Sequence, residues 1–212
     1  YSRSTQVYVN AFADIKLWKG LVFRTEYAAN YNYNTGYRFT PSYDYEFFKQ
    51  QSSASRSAGN GSNWTLKTYL TYNGTFGKHN VSVMAGHEAQ ENNWESLDGS
   101  RTNFLFNSVH ELNAGDATTA KANSSRGSSA IESYFGRLNY NFADRYLLTA
   151  TLRADGSSSF AKESRWGWFP SVALAWKVNN EAFLKDVEAI NSLKLRLGWG
   201  VVGNQWAGSY AY

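Results

Sequence analysis

The chain has 212 residues, a net charge of +4 at pH 7, 15 Tyr, 13 Phe and 8 Trp, many glycines and only two prolines, with no cysteine. Its basic residues are scattered singly, which excludes the clustered stripe that nucleic-acid binding needs. The lack of cysteine excludes disulfide scaffolds, thiol nucleophiles and cysteine-held metals. No run approaches the roughly 18 to 20 consecutive apolar residues of a membrane-spanning helix, so a helical membrane protein is excluded too.

The organising signal is period-two alternation, which puts residues i, i+2 and i+4 on one face of a strand. In the first segment, Gln6 to Leu17, the odd positions are Val7, Val9, Ala11, Ala13, Ile15 and Leu17, while Gln6, Asn10, Asp14 and Lys16 share the other side. A short turn at Trp18-Lys19-Gly20 leads into a second segment with Leu21, Phe23, Tyr27, Tyr31 and Tyr33 opposite Arg24, Glu26, Asn30 and Asn32. Together these predict a hairpin. From about residue 34 to 62 the chain is rich in Ser, Asn, Gly and Thr and predicts a long loop.

The third strand sets Trp64, Leu66, Leu70, Tyr72 and Phe76 against Lys67, Thr71 and Asn73, turns at Gly77-Lys78-His79-Asn80, and returns through Val81, Val83, Ala85, His87 and Ala89. A second long polar loop is expected from about residue 90 to 129. The fifth strand carries Tyr134, Gly136, Leu138, Tyr140 and Phe142 opposite Arg137, Asn139 and Asn141, and turns at Ala143-Asp144-Arg145. The sixth carries Tyr146, Leu148, Ala150, Leu152 and Ala154 opposite Thr149, Thr151, Arg153 and Asp155. The seventh holds Trp168, Val172, Leu174 and Trp176. Asn179 or Asn180 then caps a short expected helix from Glu181 to Val187, and the eighth strand holds Leu193, Leu195, Leu197, Trp199 and Val201.

Most segments are about ten residues long, enough for a tilted strand to cross a bilayer. Short turns alternate with long polar loops, and Trp18, Tyr31, Tyr33, Trp64, Phe76, Tyr140, Phe142, Tyr146, Trp168 and Trp176 stand at strand ends, where interfacial girdles need aromatic rings. A soluble lipocalin-like barrel also alternates, but it turns its apolar face inward. The sequence therefore reads as an all-β, antiparallel transmembrane β-barrel with about eight strands present. By the loop-length rule it begins on the outside, with the even-numbered strands running outward. Its opening, Tyr1-Ser2-Arg3-Ser4-Thr5, has no signal-peptide pattern, which reads as a mature or truncated chain.

Enzyme chemistry finds no footing. His79, His87 and His110 sit at different levels and do not suggest a metal site. Glu91, Glu95, Asp98, Glu111 and Asp116 offer no acid and base pair at a fixed spacing, and neither a phosphate-cradling loop nor a nucleophile elbow occurs. No cofactor is expected.

From Tyr134 onward the sequence becomes specific. Tyr134-Phe135-Gly136-Arg137-Leu138-Asn139-Tyr140-Asn141-Phe142 is followed by Asp144-Arg145-Tyr146-Leu147-Leu148, then Arg153-Ala154-Asp155-Gly156-Ser157-Ser158 and Phe160. Next come Arg165-Trp166-Gly167-Trp168-Phe169-Pro170-Ser171, Trp176, Leu193-Lys194-Leu195-Arg196 and Gly203-Asn204-Gln205. This ordered set resembles the SusC/RagA family of TonB-dependent outer-membrane transporters; residues 1 to 133 match it only in style. Ser159 and Ala161 depart from the family's usual basic residue and Gly.

The motif residues themselves read as structural. Arg153 and Asp155 share a polar face and pair with each other or with Arg165, Gly156 and the serines suit a tight turn, and Pro170 marks a bulge or local edge. The resemblance implies a barrel of about 22 strands, of which residues 1–212 are a partial barrel domain, with the plug and N-terminal domains lying outside this chain. It also implies import of oligosaccharides or peptides, a SusD-like surface lipoprotein as lid, the TonB complex as energy source, and outer-membrane lipid around the wall. The expected lumen-facing residues are Tyr8, Arg24, Glu26, Lys67, Tyr69, Arg137 and Arg153. Two alternatives stay open at this point: a complete small barrel serving as a structural or adhesion module, recognisable by pairing of its first and eighth strands, and a passive porin.

Overall fold

A computed structural model describes residues 1–184 and 191–203. The long strands are β1 (Ser2–Trp18), β2 (Leu21–Thr40), β5 (Ser53–Phe76), β6 (His79–Thr102), β7 (Lys121–Phe142), β8 (Tyr146–Ser157), β9 (Trp166–Lys177) and β10 (Lys194–Gly200), with two short ones, β3 (Tyr43–Tyr45) and β4 (Phe48–Gln50). The eight long strands form one sheet in the order β1-β2-β5-β6-β7-β8-β9-β10, and β3 pairs with β4 alone. All eight expected strands are present, and each long strand neighbours the next in sequence. β1 and β10 stand at opposite ends of that order. This runs against a small barrel closed by pairing its first strand to its eighth, because an edge strand leaves its N–H and C=O groups unpaired.

The turns follow from local chemistry. Gly20 at φ 84° and Gly77 at φ 60° take the left-handed conformation that a two-residue hairpin requires. At the β7–β8 turn two residues that carry a Cβ, Ala143 (φ 52°) and Asp144 (φ 56°), adopt it instead. Asp144 is held there from several sides: its carboxylate accepts from Lys177 Nζ at 2.6 Å, and Asn180 Nδ2 donates to its backbone oxygen at 2.7 Å.

The strands are longer than the alternation suggests. β5 and β6 have 24 residues each, more than twice the ten or so that cross a bilayer. The polar stretches expected as long loops, 34–62 and 90–129, are largely strand; the connections shrink to residues 41–52, which hold the β3–β4 hairpin, and 103–120. Ser, Asn, Gly and Thr signal loops only when nothing pairs with their backbone. Here neighbouring strands do, and side chains bond across the ladder: Asn60 to Glu95 at 2.6 Å, Trp64 to Glu91 at 3.2 Å, and Ser96 to Ser125 at 2.8 Å. The short helix expected from Glu181 is also absent as far as it can be followed. The chain makes a 3-10 turn at Val178–Asn180 and continues through turns to Leu184; positions 185 to 187 lie outside the described residues, as do Asn204 and Gln205 of the last motif.

The chain divides into two compact units. One comprises Tyr1–Val9, Ala29–Trp64 and Glu91–Ser128. Its core is small and is built where the 103–120 connection folds back: Ala54 and Phe104 are buried, Phe104 N–H donates to Ser52 Oγ at 2.8 Å, and the Phe39 ring meets Phe104 edge-on at 5.4 Å. Asp116 caps the turn in this connection by accepting from the Thr118 hydroxyl and N–H, and those bonds hold its carboxyl below the ordinary range.

The other unit comprises Asn10–Ala28, Thr65–Gln90 and the chain from Ser129. Its register is continuous from β7 through β8 to β9, with Phe135 opposite Arg153 and Arg153 opposite Phe169. Pro170 sits in this ladder opposite Leu152 without a bulge. Its carbonyl accepts from Val201 N–H, so its missing donor faces the end of the β9–β10 ladder, a local edge where the loss costs least. Gly156 is a strand residue rather than a turn residue. A Cβ there would stand 2.9 Å from the Trp166 indole, so glycine lets that ring lie flat against the backbone.

Candidate functional site

Alternation gives the second unit two chemically opposite faces. On one, β8 presents Tyr146, Leu148, Leu152 and Ala154, β9 presents Trp168, Val172, Leu174 and Trp176, and β10 presents Leu195, Leu197 and Trp199; the register aligns them row by row. Most of these side chains are large and apolar, and many are well exposed, with Leu174 50% exposed, Leu197 72% and Trp199 64%; the small Ala154 among them is buried. A contiguous apolar surface of this kind needs an apolar medium against it.

The opposite face is polar and ion-paired. On β2, Arg24 donates from Nε to Glu26 at 2.5 Å and from Nη1 to Asp14 of β1 at 3.3 Å, and its guanidinium lies over the Phe12 ring at 4.6 Å. The Tyr69 hydroxyl of β5 donates to the same Glu26 oxygen at 3.3 Å. A second cluster centres on Glu88 of β6, whose carboxylate is 15% exposed: Lys67 Nζ lies 3.0 Å from one oxygen and Arg153 Nη2 3.3 Å from the other. Arg153 also donates to Asp155 at 2.6 Å and to the buried Ser133 hydroxyl at 2.9 Å, and it lies over the Phe135 ring. Tyr69 and Phe135 approach to 6.4 Å because position 86 is glycine, where a Cβ would stand 2.5 Å from Tyr69 Cβ and 2.8 Å from Phe135 Cζ.

Of the seven residues named from sequence, Arg24, Glu26 and Tyr69 are thus joined directly, and Lys67 and Arg153 are joined through Glu88. Arg137 shares the face of Arg153, opposite Thr151, and is exposed with no ion pair among the described residues. Tyr8 belongs to the other unit, 69% exposed, with its hydroxyl bonded to Gln6. Asp155 pairs with Arg153 and not with Arg165. Sequence reasoning passed over Glu88 as an organiser. The available signal was parity: within the Val81–Ala89 alternation, Glu88 falls on the side opposite the apolar residues.

The short-turn end of this unit has its own cluster. Glu181, 8% exposed, accepts from the Tyr146 hydroxyl at 2.7 Å, Trp176 Nε1 at 3.0 Å and Arg145 at 3.1 Å. Those bonds, the Tyr146 one foremost, hold its carboxyl below the ordinary range, and Lys177 does the same for Asp144. On the apolar face, His87 lies 3.2 Å from Glu132 and against the Tyr134 ring. Among the described residues no group of three or more His, Asp or Glu side chains is placed to hold a metal ion.

Comparison with known proteins agrees with this architecture. The profile of a family described as TonB dependent receptor-like, beta-barrel matches residues 2–211. The TonB-dependent receptor SusC of Bacteroides thetaiotaomicron is 42% identical over 154 residues, covering 71% of this chain and 15% of that protein. TonB-dependent receptor P39 of Formosa agariphila is 31% identical over 210 residues, covering 94% of this chain and 19% of its own length. Among solved structures, the RagAB peptide transporter superposes with a TM-score of 0.88 at 24% identity over 99% of this chain and 24% of that one. The ferric citrate transporter FecA superposes with a TM-score of 0.57 at 7% identity over 84% of this chain. The chain therefore spans under a fifth of the length of these two curated relatives. An open eight-stranded sheet with one apolar and one ion-paired face, matched along nearly its whole length by that profile, belongs to the β-barrel of the TonB-dependent receptor family, with SusC among its relatives.

Proposed function

We propose that this chain is part of the wall of a TonB-dependent outer-membrane transporter that imports large nutrients, oligosaccharides or peptides, beneath a SusD-like surface lipoprotein. On this reading the apolar face meets outer-membrane lipid, and the polar face lines an aqueous lumen to which Arg24, Glu26, Lys67, Tyr69, Arg137 and Arg153 contribute, as does Tyr8, which has the parity of Asp14 along β1. The carrying observation is the segregation of chemistry by face: Leu174, Leu197 and Trp199 are uncovered on one side, while Glu88 gathers Lys67 and Arg153 on the other. A charge on the lipid side of a barrel costs about 2–4 kcal/mol at the midplane, so the charged groups gathered on one face, Arg24, Glu26, Lys67, Glu88, Arg137 and Arg153 among them, support reading that face as wet. The named activities of the relatives support the substrate class: SusC is a TonB-dependent receptor and RagAB a peptide transporter.

Two experiments test this. This chain has no cysteine, so single cysteines introduced in the full-length protein report on their own faces. A charged, membrane-impermeant maleimide is expected to label positions 67, 137 and 153 and to spare 174 and 197; the opposite pattern removes the lumen assignment. Deletion of the gene in its native host is expected to abolish growth on a defined oligosaccharide or peptide source, and affinity purification of the full-length protein to bring down a surface lipoprotein. Unimpaired growth on every such source, with no lipoprotein recovered, would refute the transport reading.

A further inference from the structure

On the polar face, a cavity of about 660 Å³ opens where β6, β8, β9 and the Ser158–Arg165 connection meet; Gln90, Arg153, Asp155, Phe160, Arg165 and Phe169 are among the residues around it. The connection is held in place by backbone bonds: Ser157 N–H donates to the Arg165 carbonyl, Ser158 N–H to the Ala130 carbonyl, and Ser164 N–H to the Ala161 carbonyl. The charges around the cavity are unevenly matched. Arg153 has Glu88 and Asp155 within 3.3 Å, whereas among the described residues Arg165 has no ion pair and its buried Nε no acceptor. A buried guanidinium N–H without a partner is costly, and a planar guanidinium presents parallel donors that fit a carboxylate.

The geometry points to Arg165 as the seat of a carboxylate that enters this cavity from the lumen side, with the Phe160 and Phe169 rings beside it to receive the carbon skeleton that carries the acid. This rests on the reading of the polar face as lumen. Such a carboxylate has two sources: an acidic sugar or peptide passing through, or an Asp or Glu of another part of the same polypeptide. The motif from Arg165 to Ser171 therefore does more than hold the sheet together.

Zero-length carbodiimide coupling tests the seat in the full-length protein. Arg165→Lys places an amine in the cavity, and the reagent joins an amine to a carboxylate only when the two touch, with loss of one water that peptide mass spectrometry reads. The Lys67–Glu88 pair at 3.0 Å is the internal control on the same face. A link from position 165 to an Asp or Glu outside the cavity and outside the Ser158–Arg165 connection supports the seat with an internal source, whereas a link to Glu163 of that connection counts against it. A link to added tetragalacturonate, with none to reduced maltotetraose, supports it with a soluble source. A link to Asp155 or Glu88, or no link at all while Lys67 and Glu88 couple, overturns the seat and leaves the lumen reading standing. If Lys67 and Glu88 fail to couple as well, the face is closed to water, and both the lumen reading and the seat fall.

Discussion

Glu88 is the residue whose removal is most informative, because it joins Lys67 and Arg153. Glu88→Ala leaves two cations facing a site that has lost its carboxylate. A hydrogen bond to a charged group contributes about 1.5–3 kcal/mol when well buried, and an exposed ion pair about 0–1. Glu88 is 15% exposed, but its partners Lys67 and Arg153 are 41% and 35% exposed, so each bond is discounted towards the lower range. Arg153 keeps Asp155 and Ser133 as acceptors, which trims its share further. The expected loss is about 2 kcal/mol, more through Lys67 than through Arg153. Urea unfolding of the full-length protein in lipid vesicles, run as a double-mutant cycle with Lys67→Ala, measures it, with an expected coupling of about 1 kcal/mol. A loss under about 0.5 kcal/mol with no coupling would show that the cluster is solvated surface and that the polar face is not organised around Glu88.

Leu174→Lys on the apolar face is expected to cost about 2–4 kcal/mol in lipid, against near zero for Thr151→Lys on the polar face; equal costs in the same unfolding assay would contradict the two-faced assignment. Ala143 holds a left-handed backbone at the β7–β8 turn, so Ala143→Gly is expected to stabilise by about 1 kcal/mol, read as a higher urea midpoint; a lower midpoint would mean that the turn is unstrained. Glu181 and Asp144 both carry carboxyls lowered by their partners. Such groups stabilise the fold above the ordinary carboxylate pKa, about 4, and the contribution drains away as pH falls through their folded values. Hydrogen exchange in the Ala143–Tyr146 segment should therefore speed up at acid pH relative to neutral once the intrinsic rate is corrected for, and Glu181→Gln should flatten that dependence; an unchanged profile in the variant would assign the acid sensitivity elsewhere.

Strand number, hairpin positions and face chemistry were legible in the sequence because each is a local property. Val7 to Leu17, Tyr134 to Phe142 and Tyr146 to Ala154 each keep one face non-polar at every second position, the other being polar apart from aromatic or aliphatic side chains such as Phe12, Phe135 and Leu147, and a period of two determines which side chains share a face whatever the neighbouring strand may be. Gly20 and Gly77 marked tight turns because a left-handed backbone favours a residue without a Cβ. Strand length was not legible, since Ser, Asn and Gly extend a strand only when a neighbour takes up their backbone bonds, and that neighbour is remote in sequence. Nor was the wiring of the polar face. Parity placed Arg24, Lys67 and Arg153 on one side, but the position of Glu88 between Lys67 and Arg153 depends on the stacking of β5, β6, β7 and β8, as does the burial of the Arg165 Nε. The sequence by itself determined which residues share the apolar face and which the polar one; the tertiary structure decided which charges meet, because ion pairing across a sheet depends on register between strands and on a carboxylate reached by cations 21 and 65 positions away in the chain.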